Sequence, residues 1–383
     1  MKSLFFALLM TCVLTSTVFL GCARGQRDAP QVVTKDWWSP ENYCYDTLVE
    51  AARREGSVTV RWHSGRVLDA ARAFEAAYGI RVLTTGRFDE QEIVELLRRE
   101  HAANNVQADA ITLEDEELIN EFIRLGLITN WVPPDLAHRI TSESLNPLVY
   151  LYQPVVLGFN SAVYNTSPIT NLWELTEERW RGKVALCDPF IQPYMWHLFS
   201  GAIDKADEFE QAYMELYGRP LVTQEKNAGW EWVIRMFRNN MLLVRHDTEV
   251  ARAIGSPGQT EPPVGFFTLT RFRDAAEQNL NLGFCPNVVP FVGFALPTFA
   301  IIPVNAPNPN AARLWIRWVL TSEGHEPWSS VIGGFSPNID VTPADNPLGG
   351  WDKWVNKLII FDGINSARNR EELQDLLLIN RGR

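Results

Sequence analysis

Cysteine and histidine are scarce in this sequence, with five and six copies among 383 residues. No two cysteines have the C-x-x-C spacing of a structural metal site. The G-x-S-x-G, H-E-x-x-H and G-x-x-x-x-G-K patterns are also missing, so the common nucleophile, zinc and nucleotide motifs are absent. We therefore expect a protein that is not an enzyme and that has no metal site and no cofactor.

Positive charge is in the minority as well. Lys and Arg total 35 against 46 Asp and Glu, which gives a formal net charge of -11 at pH 7. Proteins that bind nucleic acid carry basic surfaces, so this balance argues against a nucleic-acid partner. Apolar runs long enough to cross a membrane are missing after the N-terminus.

The N-terminus holds one long apolar run. Lys2 precedes residues 4–20, which are apolar apart from small polar residues. A charged start, an apolar core and a small residue before the cleavage point are typical of a secretory signal peptide. A membrane span is the alternative, because the run reaches the lower length limit for one. Gly21-Cys22 favours the signal peptide, because it resembles the bacterial lipobox, in which the cysteine is acylated; Phe19 stands where Leu is usual.

These features predict a lipoprotein signal peptide at 1–21 and a polar, aperiodic tether at 22–44. We expect export to the periplasm or cell surface, with a lipid on Cys22 holding the protein to a bacterial membrane. Roughly 360 residues would remain, too many for one compact core, and this predicts two lobes.

The region after the tether alternates amphipathic and short apolar segments. Helices are predicted at 46–55, 67–78, 89–101 (capped by Asp89) and 114–125. Strands are predicted between them at 57–62, 81–84 and 108–112. This order predicts a parallel sheet covered by helices on both faces.

A second α/β unit follows, between apolar strands at 155–160 and 299–304. The helices after Asn310 need a sheet to pack on, so we expect the chain to return to the first lobe. Lobe 1 would comprise 45–157 plus 295–383, and lobe 2 would comprise 158–294. Two crossings make a hinge, and ligands favour such clefts.

Two of the remaining cysteines allow two interpretations. Cys187 and Cys285 can form a disulfide outside the cytoplasm, or both can be buried free thiols. The sequence leaves both possibilities open.

Four segments, in this order, resemble type 2 periplasmic solute-binding proteins of the ferric-binding-protein-like group. They are residues 48–60 (LVEAARREGSVTV), 108–110 (ADA), 173–189 (from WEL to CDP) and 306–324 (from APNPNAARL to SEG). The resemblance implies a two-lobed α/β fold, in which two mixed sheets flanked by helices are joined by a two-strand hinge. It also implies a small-molecule ligand, an ABC-type membrane permease as partner, and a monomer.

Iron-binding members of that group usually carry two adjacent Tyr after the strand that matches Val264–Phe267. In this chain the stretch 264–272 reads VGFFTLTRF and contains no Tyr. Because phenylalanine cannot ligate a metal, the resemblance does not extend to binding of a bare ferric ion.

Ligands of such sheets lie beyond the C-terminal ends of the strands, and this rule selects the candidate residues. In lobe 1 they are His63, Ser64, Arg66, Thr85 and Arg87. In lobe 2 they are Asp188, Gln192, Tyr194, Arg245, His246, Asp247 and Thr248.

The predicted ligand is a small polar anion such as a sugar phosphate. Ser64, Thr85, Arg87 and free amides at the adjoining helix start would hold the anion, while Arg245, His246 and Asp247 would bind hydroxyls. The structural alternatives are helix caps at Ser64 and Asp247, a surface role for the arginines and an ordinary polar turn at Thr85. The functional alternatives are a chelated or anion-bridged ferric ion, and a surface lipoprotein without a transport role.

Overall fold

The computed structural model describes residues 38–345, 350–360 and 363–380. The predicted signal peptide, Cys22 and the tether up to residue 37 lie outside these ranges. Within them, no helix is both long and apolar enough to span a membrane. The end of the predicted tether is packed against lobe 1, because the Arg313 guanidinium lies 4.4 Å from the centre of the Trp38 ring and Tyr43 contacts the lobe 1 core.

Lobe 1 begins with alternating helices and strands, as predicted. The elements are α1 (Tyr45–Glu55), β1 (Ser57–Arg61), α2 (Val67–Tyr78), β2 (Arg81–Leu83), α3 (Glu90–Ala102), β3 (Ala110–Leu113), α4 (Glu116–Arg124) and β4 (Ile128–Thr129). Gly79 ends α2 in the left-handed region, at φ 69°, and its N–H donates to the Glu75 carbonyl. Glycine adopts this conformation without a steric penalty, which explains why the helix stops there.

The prediction that the Asp89 side chain caps α3 is wrong. Asp89 occupies the N-cap position with an extended backbone, but its side chain makes no capping hydrogen bond. Its carboxylate instead pairs with Arg87, at 3.2 Å.

Lobe 2 follows the long strand β5 (Val149–Asn160). Its elements are β6 (Val184–Cys187), α5 (Trp196–Asp204), α6 (Ala206–Tyr217), α7 (Ala228–Arg238), β7 (Leu242–Val244), α8 (Asp247–Gly255), β8 (Val264–Thr268), α9 (Phe272–Ala275) and β9 (Leu282–Phe284). Strand β6 pairs in parallel with both β7 and β8. Gly265 lets β8 approach β6, because a Cβ there would lie 2.1 Å from the Ala185 carbonyl oxygen.

The chain returns through a second long strand, β10, and ends on helices. The last elements are β10 (Gly293–Pro303), α10 (Pro309–Val319), α11 (Ser322–Ser329), α12 (Trp351–Trp354), β11 (Leu358–Ile359) and α13 (Gly363–Asn380).

The long strands β5 and β10 connect the lobes. They pair antiparallel with each other and lie in the middle of the strand order β2-β1-β3-β10-β5-β8-β6-β7. Strand β10 pairs with β3 of lobe 1, and β5 pairs with β8 of lobe 2. This is the mixed, two-lobed α/β fold that the sequence predicts, with two strands crossing between the lobes.

The C-terminal helix α13 contacts both lobes. Leu373 and Leu377 are buried in the lobe 2 core, although the sequence analysis assigns this region to lobe 1. Arg370, three residues before Leu373, pairs with Asp115 and Glu117 at the start of α4 in lobe 1. The argument that the helices after Asn310 need a sheet to pack on did not predict this contact with lobe 2, which depends on side chains far apart in the sequence.

Cys187 and Cys285 are both free thiols and both buried. Of the two possibilities that the sequence leaves open, the structure therefore has the unpaired one.

Candidate functional site

A cavity of about 270 Å³ lies between the lobes. Its walls come from residues just after β1, β2 and β3 in lobe 1, and just after β6, β7 and β8 in lobe 2. Strands β5 and β10 contribute side chains between these two walls. The site therefore lies at the C-terminal ends of the parallel strands, where ligands of open α/β sheets bind.

The cavity contains ten of the twelve predicted ligand-binding residues. They are His63, Ser64, Arg66, Arg87, Gln192, Tyr194, Arg245, His246, Asp247 and Thr248. The structure thus brings together residues that are more than 180 positions apart in the chain (248 − 63 = 185).

Thr85 and Asp188 do not line the cavity. Thr85 is exposed in the turn after β2. Asp188 is buried, and its Oδ1 accepts a hydrogen bond from the Phe190 N–H at 3.0 Å. The strand-end rule identifies the loop but not the direction of each side chain, and these two side chains point elsewhere.

The histidine of the first loop is neutral. His63 Nδ1 lies 3.1 Å from the Thr112 hydroxyl, while its Nε2 is buried without a hydrogen-bond partner among the described residues. Burial, aided by the charge of Arg87, lowers the pKa of His63 to about 3. His63 therefore offers the ligand a neutral imidazole and no positive charge.

The start of α2 does not provide free amides, which corrects the sequence prediction. The N–H groups of Val67 and Leu68 donate to the carbonyls of Ser64 and Gly65. The Ser64 hydroxyl accepts from the Arg66 N–H at 3.3 Å. Ser64 retains its hydroxyl proton for a ligand, but the anion-binding helix start is absent.

Asp247 is held by neighbouring protein groups. Its Oδ1 accepts from the Thr268 N–H at 2.9 Å, and its Oδ2 accepts from the Thr268 hydroxyl at 2.7 Å. Arg271 adds an ion pair with a 2.9 Å distance between Nε and Oδ2. Asp247 therefore positions Thr268 and Arg271 and is not the helix cap, and its contact with ligand hydroxyls stays a prediction.

Four further predicted residues interact with one another or with the core. Gln192 Nε2 donates to the Arg245 carbonyl at 3.1 Å and lies 3.3 Å from His246 Nδ1. The buried Tyr194 hydroxyl donates to the Cys187 sulfur at 3.4 Å. His246 and Arg245 are exposed, so their side chains can move toward a ligand.

Arginines from both lobes surround the cavity. Among the described residues that line it are Arg66 and Arg87 from lobe 1, and Arg245, Arg271 and Arg273 from lobe 2. Burial lowers the pKa of Arg273, and the positive charges of Arg271 and Arg66 lower it further. Positive charges from opposite lobes therefore repel each other, and an anion between them would relieve that repulsion.

Two carboxyl groups on the lobe 1 side have raised pKa values. Burial raises the pKa of Glu90 to about 7, with the Asp115 charge adding to the shift, and burial raises the pKa of Glu114 to about 8, with the Glu90 charge adding to it. Glu90 Oε1 accepts from the backbone N–H groups of Glu114 and Asp115. A large part of this acid pair is uncharged at neutral pH, so the arginines dominate the charge of the cavity.

The described residues contain no group of three or more His, Cys, Asp or Glu side chains arranged to hold a metal ion.

Residues 69–355 match the family model of bacterial extracellular solute-binding proteins. The chain belongs to this family. Members of the family bind solutes for transport, so a small-molecule ligand and an ABC-type permease follow from membership. No curated protein matches the sequence.

Solved structures with the same fold share little sequence with the chain. Iron-bound HitA from Pseudomonas aeruginosa is 14% identical with a TM-score of 0.64, covering 85% of this chain and 99% of its own. The binding protein AgtB from A. tumefaciens R10, in complex with agropinic acid, is 14% identical with a TM-score of 0.59, covering 85% and 98%. A substrate-binding protein of an ABC transporter from Agrobacterium tumefaciens is 12% identical with a TM-score of 0.62, covering 84% and 94%. At these identities the similarity establishes the fold alone.

Several cavity residues were not among the predicted ligand-binding set. The strand-end rule could have selected four of them, because they follow strand ends or begin helices: Glu90, Thr270, Arg271 and Arg273. Residues of the crossing strands, such as Tyr150, Gln153 and Thr298, lie in buried apolar runs and carry no local signal in the sequence.

Proposed function

We propose that this protein captures a small polar anion, such as a sugar phosphate, between its lobes and delivers it to an ABC-type importer. The observation that carries the proposal is the set of arginines on both walls of the cavity. An anion that contacts both walls binds the closed state better than the open one, and this difference in affinity drives closure.

Arg66 and Arg273 are the residues that we expect to bridge the anion. The Arg66 Nε is buried and has no hydrogen-bond partner among the described residues. Arg273 has one acidic partner, Asp274, at 3.0 Å. A guanidinium that lacks an acceptor in the protein favours a phosphate or carboxylate from the ligand.

The predicted lipid anchor at the N-terminus is also part of the proposal. Acylation of Cys22 after removal of residues 1–21 would hold the protein at the membrane surface near the permease. The binding domain would act as a monomer, and it would release its ligand unchanged.

The experiment is a binding titration of the form that lacks residues 1–22, followed by intrinsic tryptophan fluorescence. Glucose 6-phosphate, inorganic phosphate, citrate and ferric citrate would be compared with neutral glucose. We expect a phosphorylated or carboxylated compound to bind and glucose not to bind. The double variant Arg66→Ala/Arg273→Ala should weaken anion binding by more than about tenfold, since each charge-assisted hydrogen bond contributes more than 1.4 kcal/mol.

Arg124→Ala is the matched control, because Arg124 is an exposed lobe 1 arginine whose side chain bonds only to the Asn120 carbonyl among the described residues. Equal anion affinity in the control and in the double variant would refute the proposed anion site. Binding of ferric citrate, with no binding of citrate, inorganic phosphate or glucose 6-phosphate, would favour iron transport instead.

A further inference from the structure

The lobe 1 side of the cavity contains a polar group that the predicted site does not include. Glu114 follows β3, Thr298 lies in β10 and Tyr150 lies in β5, and β10 pairs with both of the other strands. Phe299 is opposite Leu113 and Thr298 is opposite Leu151 in these pairings. The sheet therefore places the three residues on or directly after three adjacent strands, two of which, β5 and β10, cross between the lobes.

Tyr150 has a buried hydroxyl with no acceptor. The side chain has 0% exposure, and its hydroxyl proton has no acceptor among the described residues, because the Trp62 indole N–H beside the oxygen can only donate. Trp62 and Trp328 hold its ring by edge contacts with centroid distances of 5.2 and 5.5 Å. Burial raises the pKa of Tyr150 well above its ordinary value, so the hydroxyl keeps its proton. A buried donor of this kind is unfavourable until a ligand supplies an acceptor.

Glu114 has one carboxyl oxygen open to the cavity. Its Oε1 accepts from the Thr298 hydroxyl at 3.3 Å, whereas Oε2 makes no hydrogen bond to a described residue. Because burial and Glu90 raise its pKa to about 8, the carboxyl is mostly protonated at neutral pH. It can then both donate to a ligand and accept from one.

The two groups together select the chemistry of the ligand. Tyr150 requires an acceptor, which excludes an ammonium group at this position. Glu114 accommodates a group that donates, accepts or does both. A hydroxyl meets both requirements, since it has one proton and two lone pairs.

The arginines occupy the other part of the cavity. Its volume of about 270 Å³ leaves room for a ligand larger than a single tetrahedral anion. A bare tetrahedral anion held by Arg66 and Arg273 would fill only a fraction of this space and would leave Tyr150 without an acceptor.

We infer that Tyr150 and Glu114 bind a hydroxyl group of the ligand and thereby select a phosphorylated polyol over bare phosphate. This inference rests on the proposed anion-binding function. It assigns hydroxyl recognition to Tyr150 on the crossing strand β5 and to Glu114 after β3, whereas Asp247 already accepts from Thr268 and pairs with Arg271.

The test uses Tyr150→Phe, which removes the hydroxyl and keeps the ring in place. Glucose 6-phosphate, glycerol 3-phosphate and inorganic phosphate are titrated into the form that lacks residues 1–22. At least one phosphorylated polyol should bind the unaltered protein about tenfold more tightly than inorganic phosphate. Tyr150→Phe and Glu114→Met should each remove most of this preference while inorganic phosphate binds as before.

Tyr152→Phe is the matched control. Tyr152 lies two residues further along β5, and its hydroxyl is already bonded to Ser144 at 2.9 Å, outside the cavity. The control should keep the full preference for the polyol. An unchanged preference in Tyr150→Phe, or equal binding of phosphate and polyol phosphates by the unaltered protein, would overturn the inference and leave anion binding intact. Failure of all three compounds to bind, with no other anion bound either, would refute the proposed function and the inference together.

Discussion

Arg370 of the C-terminal helix forms an ion pair with Asp115 at the start of α4, with 3.3 Å between Nη1 and Oδ2. Both side chains are largely buried, at 12% and 4% exposure. The same helix inserts Leu373 and Leu377 into the core of lobe 2. The pair therefore links the two lobes on a path separate from the crossing strands.

Arg370→Met should lower the free energy of unfolding by about 3 kcal/mol, because it leaves the buried Asp115 carboxylate without its cation. Urea unfolding followed by circular dichroism measures the change. Glu372→Gln is the control on the same helix, since its pair with Lys226 is exposed and should contribute less than about 1 kcal/mol. Equal effects of the two substitutions would show that the interlobe pair contributes no more than a surface pair.

Stability should fall as the pH rises from acidic to mildly basic, in part because of Glu90 and Glu114. Their folded pKa values of about 7 and about 8 lie above the ordinary value of 4.5, so the folded state binds these protons more tightly than the unfolded chain. Their contribution is complete below that ordinary value and is lost as the pH passes through about 7 and about 8.

Glu114→Gln should therefore reduce the loss of unfolding free energy between about pH 5 and about pH 9 by on the order of 2 kcal/mol. The measurement is urea unfolding across this range, with Glu92→Gln as an exposed control on α3. The same pH dependence in all three proteins would contradict the assignment of the raised pKa to Glu114.

Asp247→Ala should lower the free energy of unfolding by about 2 kcal/mol, because Thr268 loses its acceptor and Arg271 loses its ion pair. His246→Ala changes the exposed neighbouring side chain and should stay within about 0.5 kcal/mol of the unaltered protein. Thermal unfolding without added ligand separates the two. If Asp247→Ala were as stable as His246→Ala, the claim that Asp247 stabilises the fold through Thr268 and Arg271 would be refuted.

Thiol reactivity should distinguish Cys44 from the two buried cysteines. Burial raises the pKa of Cys187 to about 12 and that of Cys285 to about 11, whereas hydrogen bonds with Thr47 lower the pKa of the partly exposed Cys44. Since the thiolate is the reactive form, Ellman's reagent should titrate Cys44 alone in the native protein that lacks residues 1–22.

Denaturation without reductant should release the thiols of Cys187 and Cys285, and Cys44→Ser should abolish the native reaction. A denatured protein with a single reactive thiol would instead indicate a disulfide between Cys187 and Cys285.

The sequence predicts local structure well where backbone chemistry decides it. Helix α2 (Val67–Tyr78), which stops before Gly79, has the predicted bounds. The strand-end rule also selects His63 and His246, and both line the same cavity. Each of these predictions depends on a short pattern and a general rule of α/β sheets.

Other parts of the site depend on contacts between distant residues. Tyr150 lines the cavity beside Thr298, where the pairing of β5 with β10 shifts register, and the sequence of β5 alone gives no sign of this. The hydrogen bond from the Thr268 hydroxyl to Asp247 and the packing of α13 on lobe 2 also form only in the folded protein, so short sequence patterns do not predict them.

The most direct test of the central claim is native mass spectrometry of the form that lacks residues 1–22, as purified and again after denaturation and refolding. We expect a bound compound that is lost on refolding and that carries a phosphate or carboxylate together with hydroxyl groups. A bound metal ion without an organic anion, or a neutral or cationic compound, would contradict the proposal that the arginines of the interlobe cavity bind an anionic ligand.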